Sequence, residues 1–338
     1  MKRKQTKALA LYSGGLDSTL ACRVVAAQGI KVVAVKFVTP FFGYDLLRRK
    51  EEYTRTTREK FGIEVLLKDV TLPYLELLKK PAHGFGRYFN PCVDCKIFLL
   101  TEAKKMMEKI GASFLVTGEV IGQRPMSQRR DTLRVIERDS GCEGILVRPL
   151  CARNLEPTRV ELEGLIDREQ LLGFSGRNRT PQIQLAARFG ISDYPSPAGG
   201  CILADPILSG RIQDYYRQNR KIVPEDIQLL MVGRQFKLPT GGWLVLGRNL
   251  QENERIDELR NPHDWLLQPS IIPGPTALLR GSRNADELEI GAALVARYAK
   301  KSALVQGTAI IIAERQGRTR QIEATALADS VFQPWLRK

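Results

Sequence analysis

Two clusters in this chain combine residue types and spacing that can do chemistry. The first is Ser13-Gly-Gly-Leu-Asp-Ser18, which follows an apolar run from Ala8 to Tyr12 and precedes an amphipathic run to Gly29. Two glycines permit a tight turn, and a helix starting at this point leaves its first N–H groups unpaired and aimed at one spot. That is an anion site. It lacks the Gly-Lys-Ser/Thr ending of a Walker loop and the third glycine of a dinucleotide fingerprint, so neither pattern fits. The second cluster is Cys92-Val-Asp-Cys95, at a loop-to-helix transition. Two thiolates at this spacing can share a metal, exchange a disulfide, or pair a persulfide with a resolving thiol. A zinc site would have to recruit His83 and one of Cys142, Cys151 or Cys201. A thioredoxin-like pair would sit early in its own βαβ unit, which this one does not.

The elements that must position these clusters read as an alternation of strands and helices. After the first strand and helix come strands expected at 31–37, 63–69, 113–119 and 144–148, with helices expected at 45–61, 73–80 and 97–110. The loop Pro81–Gly86 leads into the cysteine pair. This is the doubly wound α/β pattern with a parallel sheet, whose ligands sit outside the carboxyl ends of the strands. Ser13–Ser18 and Thr117-Gly118-Glu119 both fall at such ends. Residues 160–190 read as two helices separated by the loop Gly173–Asn178. Beyond about residue 206 the character changes, since all six cysteines lie before that point and all three tryptophans after it. A helix at 212–220, strands at 243–247, 265–267, 276–280 and 308–312, and a helix at 286–301 make a smaller α+β module. The expected division is therefore residues 1–205 and 206–338.

The chain has 338 residues and a formal net charge of +15. An excess of this size favours a polyanionic partner, with nucleic acid the first candidate. Arg124, Arg129, Arg130, Arg134, Arg153, Arg177 and Arg179 are candidate phosphate contacts, although nine acids share residues 121–190 with them. Six cysteines in a chain of this size do not make the disulfide framework of a small secreted protein, which points to a reducing, cytoplasmic setting. The apolar run after Met1-Lys-Arg-Lys4 spans only about five residues, short for a signal peptide, and no run approaches the ~20 residues of a membrane helix. His83 and His263 have no partner spacing that suggests catalysis and read as structural.

The hexapeptide Ser13–Ser18 resembles the Ser-Gly-Gly-x-Asp-Ser signature of the PP-loop ATP pyrophosphatases, which split ATP between its α- and β-phosphates and adenylate a substrate. The resemblance implies an adenine-nucleotide alpha-hydrolase-like fold in which Ser13, Gly14, Gly15 and Ser18 hold pyrophosphate and Asp17 positions Mg2+ or the phosphates. Asn90-Pro-Cys-Val-Asp-Cys95 resembles the segment of tRNA 2-thiouridylases that carries the first active-site cysteine, and Cys201, in Ala198-Gly-Gly-Cys201, resembles their second. Leu115-Val-Thr-Gly-Glu-Val-Ile-Gly-Gln123, with Ser127-Gln128, Leu133–Ile136 and Val147–Leu150, is similar to the catalytic domain of tRNA 4-thiouridine synthetases, which implicates Gly118 and Gln123 at the nucleotide. One extra residue separates Gln123 from Ser127 relative to that pattern. Residues 233–312, with Gly242–Asn249, Asp264-Trp265-Leu266 and the helix Gly291–Lys300, resemble the RNA-binding R domain of NFACT-type proteins. There, an exposed aromatic near Asp264-Trp265 is expected to stack on RNA.

These resemblances imply an ATP-dependent thiolase of an RNA uridine, in tRNA or another structured RNA, with Cys92, Cys95 and Cys201 over one ATP site. Three cysteines suit a [4Fe–4S] cluster on three ligands; a persulfide route needs two. The sulfur donor is expected to be a persulfide protein or sulfide. The competing readings are a PP-loop amidotransferase or synthetase, which leaves the thiols idle, and a non-catalytic nucleotide-sensing RNA- or ribosome-binding protein.

Overall fold

Apolar residues dominate four segments of the N-terminal half that are buried along most of their length, as parallel strands covered on both faces must be, while a fifth, at the sheet edge, buries only Val65. The computed structural model describes residues 6–196, 200–282, 284–300 and 304–337, and the chain divides into two compact units, 1–204 and 205–338. In the first unit the strands are β1 (Lys7–Leu11), β2 (Lys31–Val38), β3 (Glu64–Asp69), β4 (Phe114–Thr117) and β5 (Leu146–Val147). All pair in parallel, in the order β3-β2-β1-β4-β5. The chain leaves β1 toward β2 on one side and returns as β4 on the other. The crevice between the exits of β1 and β4 is therefore a topological switch point.

Among the described residues seven α-helices accompany the sheet: α1 (Leu16–Ala26), α2 (Lys50–Phe61), α3 (Thr71–Leu77), α4 (Cys92–Ile110), α5 (Arg130–Ser140), α6 (Arg159–Leu162) and α7 (Thr180–Arg188). One core contains Leu16, Leu20 and Val25 of α1 with Ala186 of α7, and a second contains Leu100, Ala103 and Met107 of α4 with Ile136 of α5. This is a doubly wound α/β domain. Helix α4 starts at Cys92, five residues before the expected start, with Pro91 as its N-cap residue, so both cysteines of the pair lie on its first turn. The first of the two helices expected over 160–190 shrinks to the single turn α6, held by a capping box between Thr158 and Glu161 and stopped by Gly164 at φ 68°.

The second unit is a seven-stranded antiparallel sheet with helices. Its strands are β6 (Arg234–Lys237), β7 (Trp243–Leu246), β8 (Trp265–Pro269), β9 (Ala277–Arg280), β10 (Thr308–Arg315), β11 (Arg318–Thr325) and β12 (Leu336–Arg337), in the order β11-β10-β8-β9-β7-β6-β12. Its helices are α8 (Pro206–Gln218), α9 (Pro224–Leu230), α10 (Leu250–Glu258), α11 (Asp286–Tyr298) and α12 (Asp329–Phe332). Leu288, Ala292 and Val295 of α11 share a core with Leu244, Leu267, Leu279 and Ile311, while Leu229 and Ile256 share another with Val245, Leu266 and Leu278. The expectation of an exposed, base-stacking Trp265 does not hold. The residue is only 6% exposed, because its ring joins the core and is covered by the guanidiniums of Arg315 and Arg320. Among the described residues, no helix is long and apolar enough to cross a membrane.

Candidate nucleotide and thiol site

Strand β1 ends in a loop whose local bonds define its shape. Gly14 takes φ +87°, in the left-handed region that glycine enters without strain. Gly15 is the N-cap of α1, and no side chain caps it. The first backbone bond of the helix is made by Thr19 N–H to the Gly15 carbonyl at 3.1 Å, so the amides of Leu16, Asp17 and Ser18 precede it. Ser13 Oγ accepts from Gly15 N–H at 3.2 Å and lies 3.1 Å from Ser18 Oγ. This is a short arc of donors at a helix N-terminus, the arrangement that receives phosphate.

Strand β4 exits directly against this loop. A Cβ on Gly118 would stand 2.5 Å from the Asp17 carbonyl carbon and oxygen and 2.6 Å from Ser18 N, so only glycine fits there. Asp17 Oδ2 accepts from Gln123 Nε2 at 2.8 Å, and Arg179 lies 3.7 Å from Oδ1. Asp17 Oδ1, Gln123 Oε1, Ser127 Oγ, Gln128 Oε1 and Arg179 Nε are buried polar atoms with no hydrogen-bond partner among the described residues. Such an atom ordinarily costs ~1–3 kcal/mol, so several of them around one loop suit a site built for a polar ligand.

A cavity of about 430 Å³ opens at this point. Ser13, Asp17, Ser18 and Gly118 line it, and so do Cys92, Cys95 and Cys201. Helix α4 presents the first two thiols from its opening turn, and the third follows the turn at Gly200. Pro197, Ala198 and Gly199 of the second cysteine's motif lie outside the described residues. Burial pushes the Cys95 thiol up to about 12 against the opposing hydrogen bond with Tyr74, and burial also raises Cys201. Among the described residues, no three His, Cys, Asp or Glu side chains close on a single-ion site.

Charged residues complete the walls. Lys36, at the exit of β2, donates to the Ser13 carbonyl, lies 5.7 Å from the centre of the Tyr53 ring, and is lowered by burial to about 8. Glu119 is buried, which opposes its ionisation, but the Lys96 ammonium and the Arg148 guanidinium outweigh burial and hold its carboxyl at about 2. Arg148 pairs in turn with Glu137. His83 lies 3.1 Å from Asp94 through Nδ1 and 3.0 Å from Asp139 through Nε2, while Asp94 accepts from the Ala82 and His83 amides. These bonds tie the 81–86 loop to the first turn of α4.

Sequence reasoning missed Lys36 and Lys96. The signal for Lys36 was a cation inside the apolar run Val32–Val38 of a parallel strand, and Lys96 adjoins the cysteine pair. Of the seven candidate arginines, Arg124 lines the cavity and Arg179 reaches Asp17. Arg129, Arg130 and Arg153 make bonds elsewhere, and Arg134 and Arg177 are exposed.

The first unit resembles a PP-loop domain in its parallel sheet and in the geometry of the loop that ends its first strand. Residues 3–157 match the family described as thiamine biosynthesis protein (ThiI), and residues 233–336 match the NFACT protein RNA binding domain. A probable tRNA sulfurtransferase of Thermococcus kodakarensis is 26% identical over 223 residues, covering 66% of this chain and 51% of the relative. Another, from Staphylococcus aureus strain Newman, is 33% identical over 121 residues, 35% of this chain and 28% of the relative. A tRNA-specific 2-thiouridylase, MnmA 3 of Bacteroides fragilis, is 27% identical over 122 residues, 35% of this chain and 32% of the relative. The chain thus spans about half, or less, of the length of these curated relatives. A crystal structure of a 4-thiouridine synthetase–RNA complex with bound ATP aligns at 23% identity and a TM-score of 0.35, covering 55% of this chain and 52% of that one. The chain resembles the tRNA-thiolating PP-loop ATP pyrophosphatases, and its C-terminal segment resembles the NFACT protein RNA binding domain.

Proposed function

We propose that this chain is an ATP-dependent RNA sulfurtransferase that thiolates a uridine, with tRNA as its substrate. The observation that carries the reading is that the phosphate loop and three cysteines line one cavity. An amidotransferase would leave those thiols without a task.

In this mechanism the amides and hydroxyls of Ser13–Ser18 hold the β- and γ-phosphates of ATP, and Lys36 neutralises part of their charge. Asp17, steadied by Gln123 at Oδ2 and by the Arg179 guanidinium near Oδ1, would hold Mg2+ beside the phosphates. The uridine carbonyl oxygen attacks the α-phosphorus, the bond to the β-phosphate oxygen breaks, and pyrophosphate leaves. The carbon now bears AMP, a far better leaving group than oxide. Sulfide forms the C–S bond with its own electron pair as the C–O bond breaks and AMP departs; where a persulfide is the donor, its terminal sulfur forms that bond and a second cysteine thiolate then attacks the remaining S–S bond, which frees the thiolated base and leaves a disulfide that a thiol reductant must reopen.

The donor set of Cys92, Cys95 and Cys201 fits a [4Fe–4S] cluster on three thiolates, and burial that keeps a free thiol protonated yields to a cation that takes the proton's place. When bound, such a cluster would supply an iron position open to sulfide.

The test is anaerobic purification with iron and sulfide analysis, followed by incubation with tRNA, ATP and sulfide and mass analysis of the nucleosides. Cys92→Ala and Cys201→Ala are expected to abolish sulfur incorporation and leave ATP affinity unchanged. Persistent thiolation in both variants refutes the role of the thiols, and an active, iron-free protein replaces the cluster with the persulfide route.

A further inference from the structure

The C-terminal sheet carries a patch that its own stability does not explain. In the β10–β11 hairpin Arg315 stands directly opposite Arg318, and Arg320, opposite Ala313, follows on the same face. Like charges placed directly across a strand pair are destabilising. Among the described residues none of the three guanidiniums pairs with a carboxylate. Strand alternation puts Glu314 and Glu323 on the opposite face, and Glu314 is engaged by Arg260 at 3.3 Å.

Two of these cations are held in place. The guanidinium of Arg315 lies 4.4 Å from the centre of the Trp265 ring and that of Arg320 lies 5.7 Å from it. A guanidinium resting on an aromatic face keeps its in-plane donors and outer surface available, which suits phosphate oxygens and unstacked bases. The tryptophan that is too buried to stack on RNA therefore serves as a platform for two arginines.

We infer that the Arg315, Arg318 and Arg320 face of the β10–β11 hairpin is the surface on which this chain docks RNA. The inference rests on the proposed RNA substrate and locates where that RNA is gripped. A protein partner fits less well, because segment 314–321 holds no large exposed apolar residue to act as an anchor, and its other members are Glu314, Gln316, Gly317, Thr319 and Gln321.

The experiment measures full-chain binding to tRNA across a salt series, for wild type, Arg318→Glu, and the triple change of Arg315, Arg318 and Arg320 to Gln. Arg318 is exposed and makes no side-chain hydrogen bond, ion pair or ring contact among the described residues, so its reversal tests the surface even where the triple variant fails to fold. Affinity is expected to fall about tenfold or more in the triple variant, and the log–log salt slope to flatten by about 2, with a smaller flattening for Arg318→Glu. ATP affinity stays at the wild-type value. Wild-type binding with unchanged affinity and slope in Arg318→Glu overturns the surface and leaves the RNA reading standing. A wild-type chain that binds no tRNA overturns both. Displacement of the tRNA by polyglutamate at equal charge overturns the assignment to RNA and marks a general polyanion site.

Discussion

At the scale of single residues, the site combines groups whose charges are tuned by burial. Lys36 loses its proton at about 8, so it is a full cation below that pH and neutral above it. Phosphates placed beside it favour the ammonium, so nucleotide binding above about pH 8 takes up a proton and affinity falls there by up to about tenfold per pH unit. Calorimetric titration of ATP is expected to show this fall in the wild type and a flat profile in Lys36→Met. Glu119 has its folded pKa depressed to about 2. Its contribution to stability is complete above the unfolded value of about 4.3 and is lost as pH drops toward the folded one. Glu119→Gln, which leaves Lys96 and Arg148 facing a neutral group, is expected to cost about 3–5 kcal/mol at neutral pH, and urea unfolding should show the gap to wild type narrowing under acid conditions. Neither effect was legible from the residues alone, because both depend on how deeply a strand end is covered.

At the scale of elements, the site depends on β4 passing within contact distance of the start of α1. Gly118→Ala would force a methyl against the Asp17 carbonyl and the Ser18 amide. Overpacking of this kind costs about 1–3 kcal/mol. The loop would also shift, so the variant is expected to melt earlier and to bind ATP weakly, with thermal unfolding and ATP titration as the measurements. The strands of the parallel sheet were legible because a sheet buried on both faces demands continuous apolar runs. Strand β11 was not, since it is an edge strand on which only Ile322 and Ala324 are buried. The start of α4 was hidden for another reason. Cys92-Val-Asp-Cys95 carries no side-chain cap, and its helical turn is supported instead by the 81–86 loop bonded to Asp94.

At the scale of the whole molecule, two units with separate cores make up the chain, one on a parallel sheet and one on an antiparallel sheet. A ligand held within one unit stabilises that unit by mass action, about 2.7 kcal/mol at a hundredfold excess over Kd. Calorimetry is therefore expected to resolve more than one transition, with ATP raising the one that belongs to residues 1–204. A single transition with equal van't Hoff and calorimetric enthalpies would show that the two units unfold as one.

By itself the sequence determined the phosphate loop, the alternation of strands and helices, and the cysteine pair, because turn chemistry and hydrophobic period are local properties. It also marked Gly118 and Gln123 through resemblance. Only the tertiary structure decided that Ser13–Ser18, Cys92, Cys95 and Cys201 line one cavity, that Lys36 reaches the loop, and that Trp265 is sealed beneath two arginines. Those outcomes depend on strand order and register, which bring together residues that lie far apart in the chain.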